Sequence, residues 1–160
     1  MKKLLIVIQL CFWSVMMNAQ AQDIISSENL TAQKLKEIFE SAYADVAAVD
    51  PNGKYIAVKE SAGLKVYMDI DAKKRYITYS ISFKCDERFS ECEILALVNQ
   101  LSTQVLMISP SYMREKRNLL IKYDYWVDAG VTSKSIVKTE KQFMEAVKLA
   151  FKKDIQKILI

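Results

Sequence analysis

The stretch RYITYSISF, residues 75–83, decides the fold of this chain. Every second residue from position 77 is large and apolar, and the residues between them are small and polar; the apolar set is Ile77, Tyr79, Ile81 and Phe83. Successive side chains of a strand point to opposite faces, so this alternation predicts a β-strand with one buried face. A sheet with a single apolar side must pack against another layer, and we expect the rest of the chain to cover that face or to extend the sheet.

Two kinds of periodicity predict the other elements. Alternation predicts strands at residues 55–59 and 64–70, which complete a three-stranded antiparallel meander, and at residues 105–108 and 119–127, which form a hairpin. Helical spacing predicts a helix over residues 31–43, a second that starts at a Ser90–Glu93 capping box, and a third with a capping box at Thr139 and Gln142. The prediction is a single α+β domain of order α-β-β-β-α-β-β-α, with an antiparallel sheet and helices packed mainly on one face.

The N-terminus has the pattern of a secretory signal peptide. Lys2 and Lys3 precede an apolar run over residues 4–17, and Ala19-Gln20-Ala21 follows as a small-x-small cleavage site. A retained membrane anchor is the alternative, but the run is shorter than the roughly 20 residues that span a bilayer. We therefore expect residues 1–21 to be removed, residues 22–29 to form a polar lead-in, and residues 30–160 to form the domain of a periplasmic or secreted protein.

Composition argues against several functions. The chain has 23 basic and 19 acidic residues, a net charge of +4 that falls to +2 without Lys2 and Lys3, which argues against a dedicated nucleic-acid binder. It has no histidine, so it lacks the commonest general base near neutral pH and the most frequent zinc ligand. We predict no catalytic residue set, no cofactor and no metal site.

Cys85 and Cys92 are the two cysteines that remain after cleavage. An even pair in an exported protein favours a disulfide, which across so short a loop would contribute on the order of 2 kcal/mol. Two separate thiols are the alternative, with Cys85 near a strand end and Cys92 in the first turn of a helix.

Four aromatic residues fall opposite the apolar alternation or at strand ends: Tyr55, Tyr67, Tyr76 and Trp126. Several aromatic residues on the uncovered side of a sheet can mark a binding or dimer surface. They form our candidate interaction surface; the alternative is that a helix or loop covers them.

The element order and a few residues resemble a known family. The meander, a helix centred on Leu97-Val98-Asn99, a hairpin and Ala129-Gly130-Val131-Thr132 before a long amphipathic helix are similar to the YbjN-type sensory-transduction regulators over about residues 30–151. The resemblance implies the fold of type III secretion chaperones. The family often has a second asparagine just after the first, whereas Gln100 follows Asn99 here, so the resemblance supports the fold more than a role for Asn99.

These observations favour an exported, non-enzymatic module that binds a protein or peptide partner, or a second copy of itself, in a regulatory or chaperone-like role. One alternative is a carboxylate-dependent hydrolase acting on glycans around Asp69, Asp71 or the acidic loop at residues 86–93. Another is a peripheral membrane-surface binder that uses the basic C-terminal helix. We expect that helix to pack on the core instead, and we expect little membrane contact after signal cleavage.

Overall fold

The structure is a computed structural model that describes residues 24–60, 63–71, 73 and 75–160. The predicted signal peptide lies outside these residues. The elements in chain order are β1 (Ile24–Ile25), α1 (Ala32–Ser41), β2 (Asp45–Val49), β3 (Tyr55–Lys59), β4 (Lys65–Ile70), β5 (Tyr76–Lys84), α2 (Glu91–Gln104), β6 (Ser109–Met113), β7 (Asn118–Trp126), β8 (Val131–Thr132) and α3 (Ser133–Lys153).

Six strands form one antiparallel sheet in the order β2-β3-β4-β5-β7-β6. The strand read from RYITYSISF is β5, which pairs along its whole length with β7 and along its first half with β4. Its alternate residues Ile77, Tyr79, Ile81 and Phe83 are all buried. The predicted α+β fold is confirmed, and β5 lies inside the sheet.

The three helices cover one face of this sheet. Each contributes a buried apolar stripe to a single core, which includes Phe39 of α1, Leu101 of α2 and Phe143 of α3. Tyr79 of β5 is fully buried beneath them, with its ring 6.2 Å from that of Phe143 and its hydroxyl donating to the carbonyl oxygen of Ile136 at 3.1 Å. None of the helices in the described part of the chain covers the other face of the sheet.

Three sheet elements, β1, β2 and β8, were not predicted. Strand β2 adds a fourth strand to the meander, and its register is interrupted by a bulge between Val46 and Ala48. Strand β1 lies within the predicted polar lead-in and pairs with β8. Gly130 makes this pairing close, since a Cβ atom there would lie 2.7 Å from the Ile24 side chain.

The predicted start of the last helix at Thr139 is wrong. Thr132 and Ser135 form the capping box instead: the Thr132 Oγ1 accepts from the Ser135 backbone N–H at 3.1 Å, and the Ser135 Oγ accepts from that of Thr132 at 3.2 Å. The polar residues 132–135 resemble a loop in the sequence, yet the buried Ile136 is already part of the helix stripe.

The predicted strand at residues 105–108 is also wrong. Helix α2 continues to Gln104 and ends on Val105, whose backbone N–H donates to the carbonyl of Leu101 at 3.0 Å. Residues 106 and 107 then form an exposed turn, in which Met107 has a φ of +68°. The strand begins at Ser109 and contains Pro110, which is tolerated because β6 is an edge strand of the sheet.

Candidate functional site

The uncovered side of the sheet, which we call the open face, carries the four predicted aromatic residues. Register places them there together: Tyr67 pairs with Ser80, and Tyr76 with Trp126. Tyr55 is two residues from Ala57, the partner of Tyr67, so it points to the same side. No described helix packs on this face.

The aromatic rings form two separate pairs. Tyr55 and Tyr67 meet edge to face with their centroids 5.9 Å apart, and Tyr76 and Trp126 do so at 5.6 Å. Edge-to-face contacts of this kind fix ring orientation. Even so, Trp126 remains 64% exposed and Tyr67 40%. Each pair therefore presents rings whose orientation is fixed and whose surface is accessible.

A polar row begins at Tyr55 and runs between Tyr67 on one side and the Tyr76–Trp126 pair on the other. Asp69 of β4, Thr78 of β5 and Asp124 of β7 are successive cross-strand partners. The Thr78 hydroxyl donates to the Asp124 carboxylate at 2.5 Å. Lys122 lies in the next row, opposite Ser80. The open face is thus a strip of carboxylates between aromatic rings.

Asp69 is the perturbed group in this strip. Partial burial on the face raises the pKa of its carboxyl; the Lys122 ammonium group opposes that rise and the Asp50 carboxylate adds to it. Asp69 is exposed, and the Lys122 charge offsets only part of the pKa rise, so its ionised form becomes more stable when a further cation approaches. The strip is therefore suited to receive a lysine or arginine side chain, which can also stack on tyrosine and tryptophan rings.

The structure has Cys85 and Cys92 as free thiols, so it does not contain the predicted bridge. Cys85 continues the inward alternation of β5 and is buried, and burial raises the pKa of its thiol. Cys92 is exposed in the first turn of α2. One side chain enters the core and the other faces solvent, which explains why the sulfurs do not meet.

The acidic residues considered for catalysis have different environments and different partners. Asp69 belongs to the open face, Asp71 accepts from the Lys73 backbone N–H, and Glu93 closes the capping box with Ser90. Arg88 bonds to Asp86 and lowers the pKa of that carboxyl to about 2. Among the described residues, no group of three or more cysteine, aspartate or glutamate side chains is placed to hold a metal ion.

Two buried acids escaped sequence reasoning, and one of them, Asp154, accepts from the backbone N–H groups of Ile158 and Leu159. Glu140 of α3 is only 3% exposed, and its Oε1 has no hydrogen-bond partner among the residues that the structure describes. Burial, together with the charge of Glu60 and a hydrogen bond with that residue, raises the pKa of Glu140 to about 7, against the opposing charges of Lys141 and Lys148. The nearby Tyr79 hydroxyl already donates to Ile136.

The position of Glu140 in the helix could have revealed its burial from the sequence. It follows Ile136 by four residues and precedes Phe143 by three, so it lies on the apolar stripe of α3. At 3% exposure it is closed to any solute, so it is a property of the core and not a second site.

Comparison with known proteins identifies the architecture. No family model matches the sequence, and no curated protein matches it. The structure is similar to the crystal structure of YbjN, a candidate transcription regulator from E. coli, with a TM-score of 0.66 and 12% sequence identity over 80% of this chain and 94% of that one. At this level of identity the likeness concerns the fold, and it confirms the resemblance read from the sequence: this chain has the fold of YbjN.

Proposed function

We propose that the protein is an exported, non-enzymatic interaction module that binds a protein or peptide partner on its open face, in a regulatory or chaperone-like role. One observation carries this proposal: two accessible pairs of aromatic rings frame a carboxylate strip on the side of the sheet that no described helix covers. Aromatic residues are enriched where binding energy is concentrated, because they bury a large area at a low cost in side-chain entropy.

The chemistry of the strip defines the partner further. Asp69 and Asp124 lie in the row that begins at Tyr55, between Tyr67 and the Tyr76–Trp126 pair, so a basic side chain inserted there contacts carboxylates and rings together. A segment with a lysine or arginine flanked by apolar residues satisfies both parts. A second copy of this chain is one candidate source of such a segment, and an unrelated protein is the other.

Site-specific photo-crosslinking tests the proposal. A benzophenone side chain replaces Tyr67 on the open face or, as the matched control, Tyr43, which is 99% exposed just beyond the end of α1. We expect cells that express these variants to yield a discrete crosslinked protein, or a crosslinked dimer, at position 67 and not at position 43. Equal crosslinking at the two positions, or none at position 67, would contradict the proposal.

A variant without one negative charge tests whether the partner contributes a basic residue. Asp69→Asn removes the negative charge and keeps the shape of the side chain. If a basic residue of the partner docks in the strip, this variant reduces crosslinking at position 67 by at most about fivefold, as expected for the loss of one exposed ion pair. An unchanged crosslinking yield would show that a basic residue of the partner does not contribute, and the proposal would then rest on the aromatic residues alone.

A further inference from the structure

The side of the domain opposite the open face combines exposed apolar residues with a run of lysines. Helix α3 buries Phe143 against the sheet, so its outer surface faces away from the open face. Among the described residues, Met107, Ala146 and Leu149 line an open groove of about 410 Å³ here, rimmed by Lys141, Gln142 and Glu145. We call the groove, the adjacent Leu106 and the exposed lysines of α3 the lysine-rich surface.

The turn after α2 is the first observation that points to a ligand. Leu106 is 85% exposed, and the next residue, Met107, adopts the left-handed φ of +68°. A non-glycine residue in this region is strained, and strain of this kind persists where the surrounding structure fixes it. Two consecutive apolar side chains thus lie outside the core, and Met107 lines the groove together with Leu149.

The charge of α3 is the second observation. The helix contains six lysines, and Glu145 is its only exposed acid. Lys148 pairs with Glu145 at 2.7 Å, whereas Lys134, Lys138, Lys141 and Lys152 make no salt bridge with any part of the chain that the structure describes. Unpaired lysines spread along several turns complement a diffuse negative charge better than a single carboxylate.

We propose that the lysine-rich surface binds the anionic surface of a lipid bilayer, with Leu106 and Met107 inserted among the lipids and the α3 lysines over the headgroups. Leu106 protrudes beside the groove, and a protruding leucine next to unpaired lysines suits insertion into an anionic interface. The apolar stripe of α3 is buried in the core, as the sequence predicted, so this contact uses the α2–β6 turn and not that stripe. It leaves the open face directed away from the bilayer.

Vesicle co-sedimentation tests the proposal with the chain from Gln22 onward, which keeps every described core residue and lacks the apolar run of residues 4–17. The probes are vesicles of phosphatidylcholine alone and of equal parts phosphatidylcholine and phosphatidylglycerol. Binding is expected only to the anionic vesicles, and it falls more than about tenfold when salt rises from about 0.02 M to about 0.5 M.

Variants separate this surface from net charge. Lys138→Gln with Lys141→Gln is expected to weaken anionic-vesicle binding about fivefold for each lysine, and Leu106→Ser roughly tenfold. The matched control, Lys65→Gln with Lys122→Gln, removes the same charge from the open face and leaves binding unchanged. All five positions replaced here are exposed, and circular dichroism verifies that each variant is folded.

A spectroscopic reading locates the contact. Trp126 is the only tryptophan after residue 21, so Trp126→Phe with Leu106→Trp places a single reporter in the turn. Its emission is expected to shift to the blue on anionic vesicles, and that of Trp126 in the unmodified chain is not. Absence of vesicle binding at low salt, equal losses in the two lysine double variants, or a shift at Trp126 alone would overturn the proposal; the first of these outcomes would leave an acidic protein as the remaining kind of ligand.

Discussion

The two broad surfaces of this domain differ in how their side chains are held. On the open face, edge-to-face ring contacts and the Thr78–Asp124 hydrogen bond fix the side chains over a paired sheet. On the lysine-rich surface, long unpaired lysines and the exposed Leu106 have no such restraint. One small domain can therefore carry both a preorganised surface, which suits a specific partner, and an adaptable surface, which suits a diffuse charge.

The largest expected effect is on the stability of the whole domain, because both surfaces rest on the same core. Phe143→Ala removes a fully buried ring that contacts Tyr79 between the helix layer and the sheet. We expect a loss of about 3–5 kcal/mol in the free energy of unfolding, from lost transfer energy and the cavity left behind. Urea denaturation followed by circular dichroism measures it, with Tyr43→Ala, at a side chain that is 99% exposed, as the control; equal losses in the two variants would contradict the assigned core.

Glu140 makes the stability of this shared core depend on pH. Its pKa in the folded state, about 7, is above the ordinary value of 4.5, so its ionised form opposes folding. The stability is complete below the ordinary pKa and is lost as the pH rises through about 7. We expect wild type to lose on the order of 2 kcal/mol between about pH 5 and pH 8, and Glu140→Gln to abolish that dependence.

Urea titrations at several pH values measure this difference. Glu145→Gln is the matched control, because that exposed acid lies on the outer side of the same helix. A wild-type profile that is flat across this range, or a dependence that persists in Glu140→Gln, would show that Glu140 does not titrate as its burial implies.

Salt distinguishes the two surfaces by a smaller effect. Exposed charges are screened within about 8–10 Å at physiological salt, whereas contacts between apolar rings are not. Raising the salt concentration is therefore expected to reduce binding to anionic vesicles more than about tenfold and crosslinking at position 67 by less than about threefold. Similar losses at both surfaces would remove the distinction between them.

The cysteines provide the smallest effect. Native protein is expected to react with a maleimide at the exposed Cys92 and to react at the buried Cys85 only after unfolding. Cys92→Ser should change the free energy of unfolding by less than about 0.5 kcal/mol, as is usual for surface positions. Protection of both thiols that is released by a reductant would instead show that the disulfide predicted from the sequence forms in the protein.

The sequence predicted the elements whose pattern is strong and local. The alternation from Ile77 to Phe83 identified the strand on which the sheet is built, and the Ser90–Glu93 capping box marked the start of α2 at the correct residue. The outward register of Tyr67 and Trp126 followed from the same alternation, so the candidate surface could be named from the sequence.

The features that the sequence did not predict have a common physical origin, because tertiary packing and not local sequence determines them. The small residues Ala47 and Ala48 of β2 give no alternation, and their strand forms because β3 offers an edge. Leu106 and Met107 are apolar but lie outside the core, which no local pattern reveals. Glu140 interrupts an apolar stripe and is buried with its helix.

The most direct measurement of the two-surface account places the same photo-crosslinking side chain at Tyr67 or at Leu106 and compares the products in membrane-containing extracts. We predict protein adducts at position 67 and lipid adducts at position 106. Lipid at position 67, protein at position 106, or the same products at both positions would contradict the account.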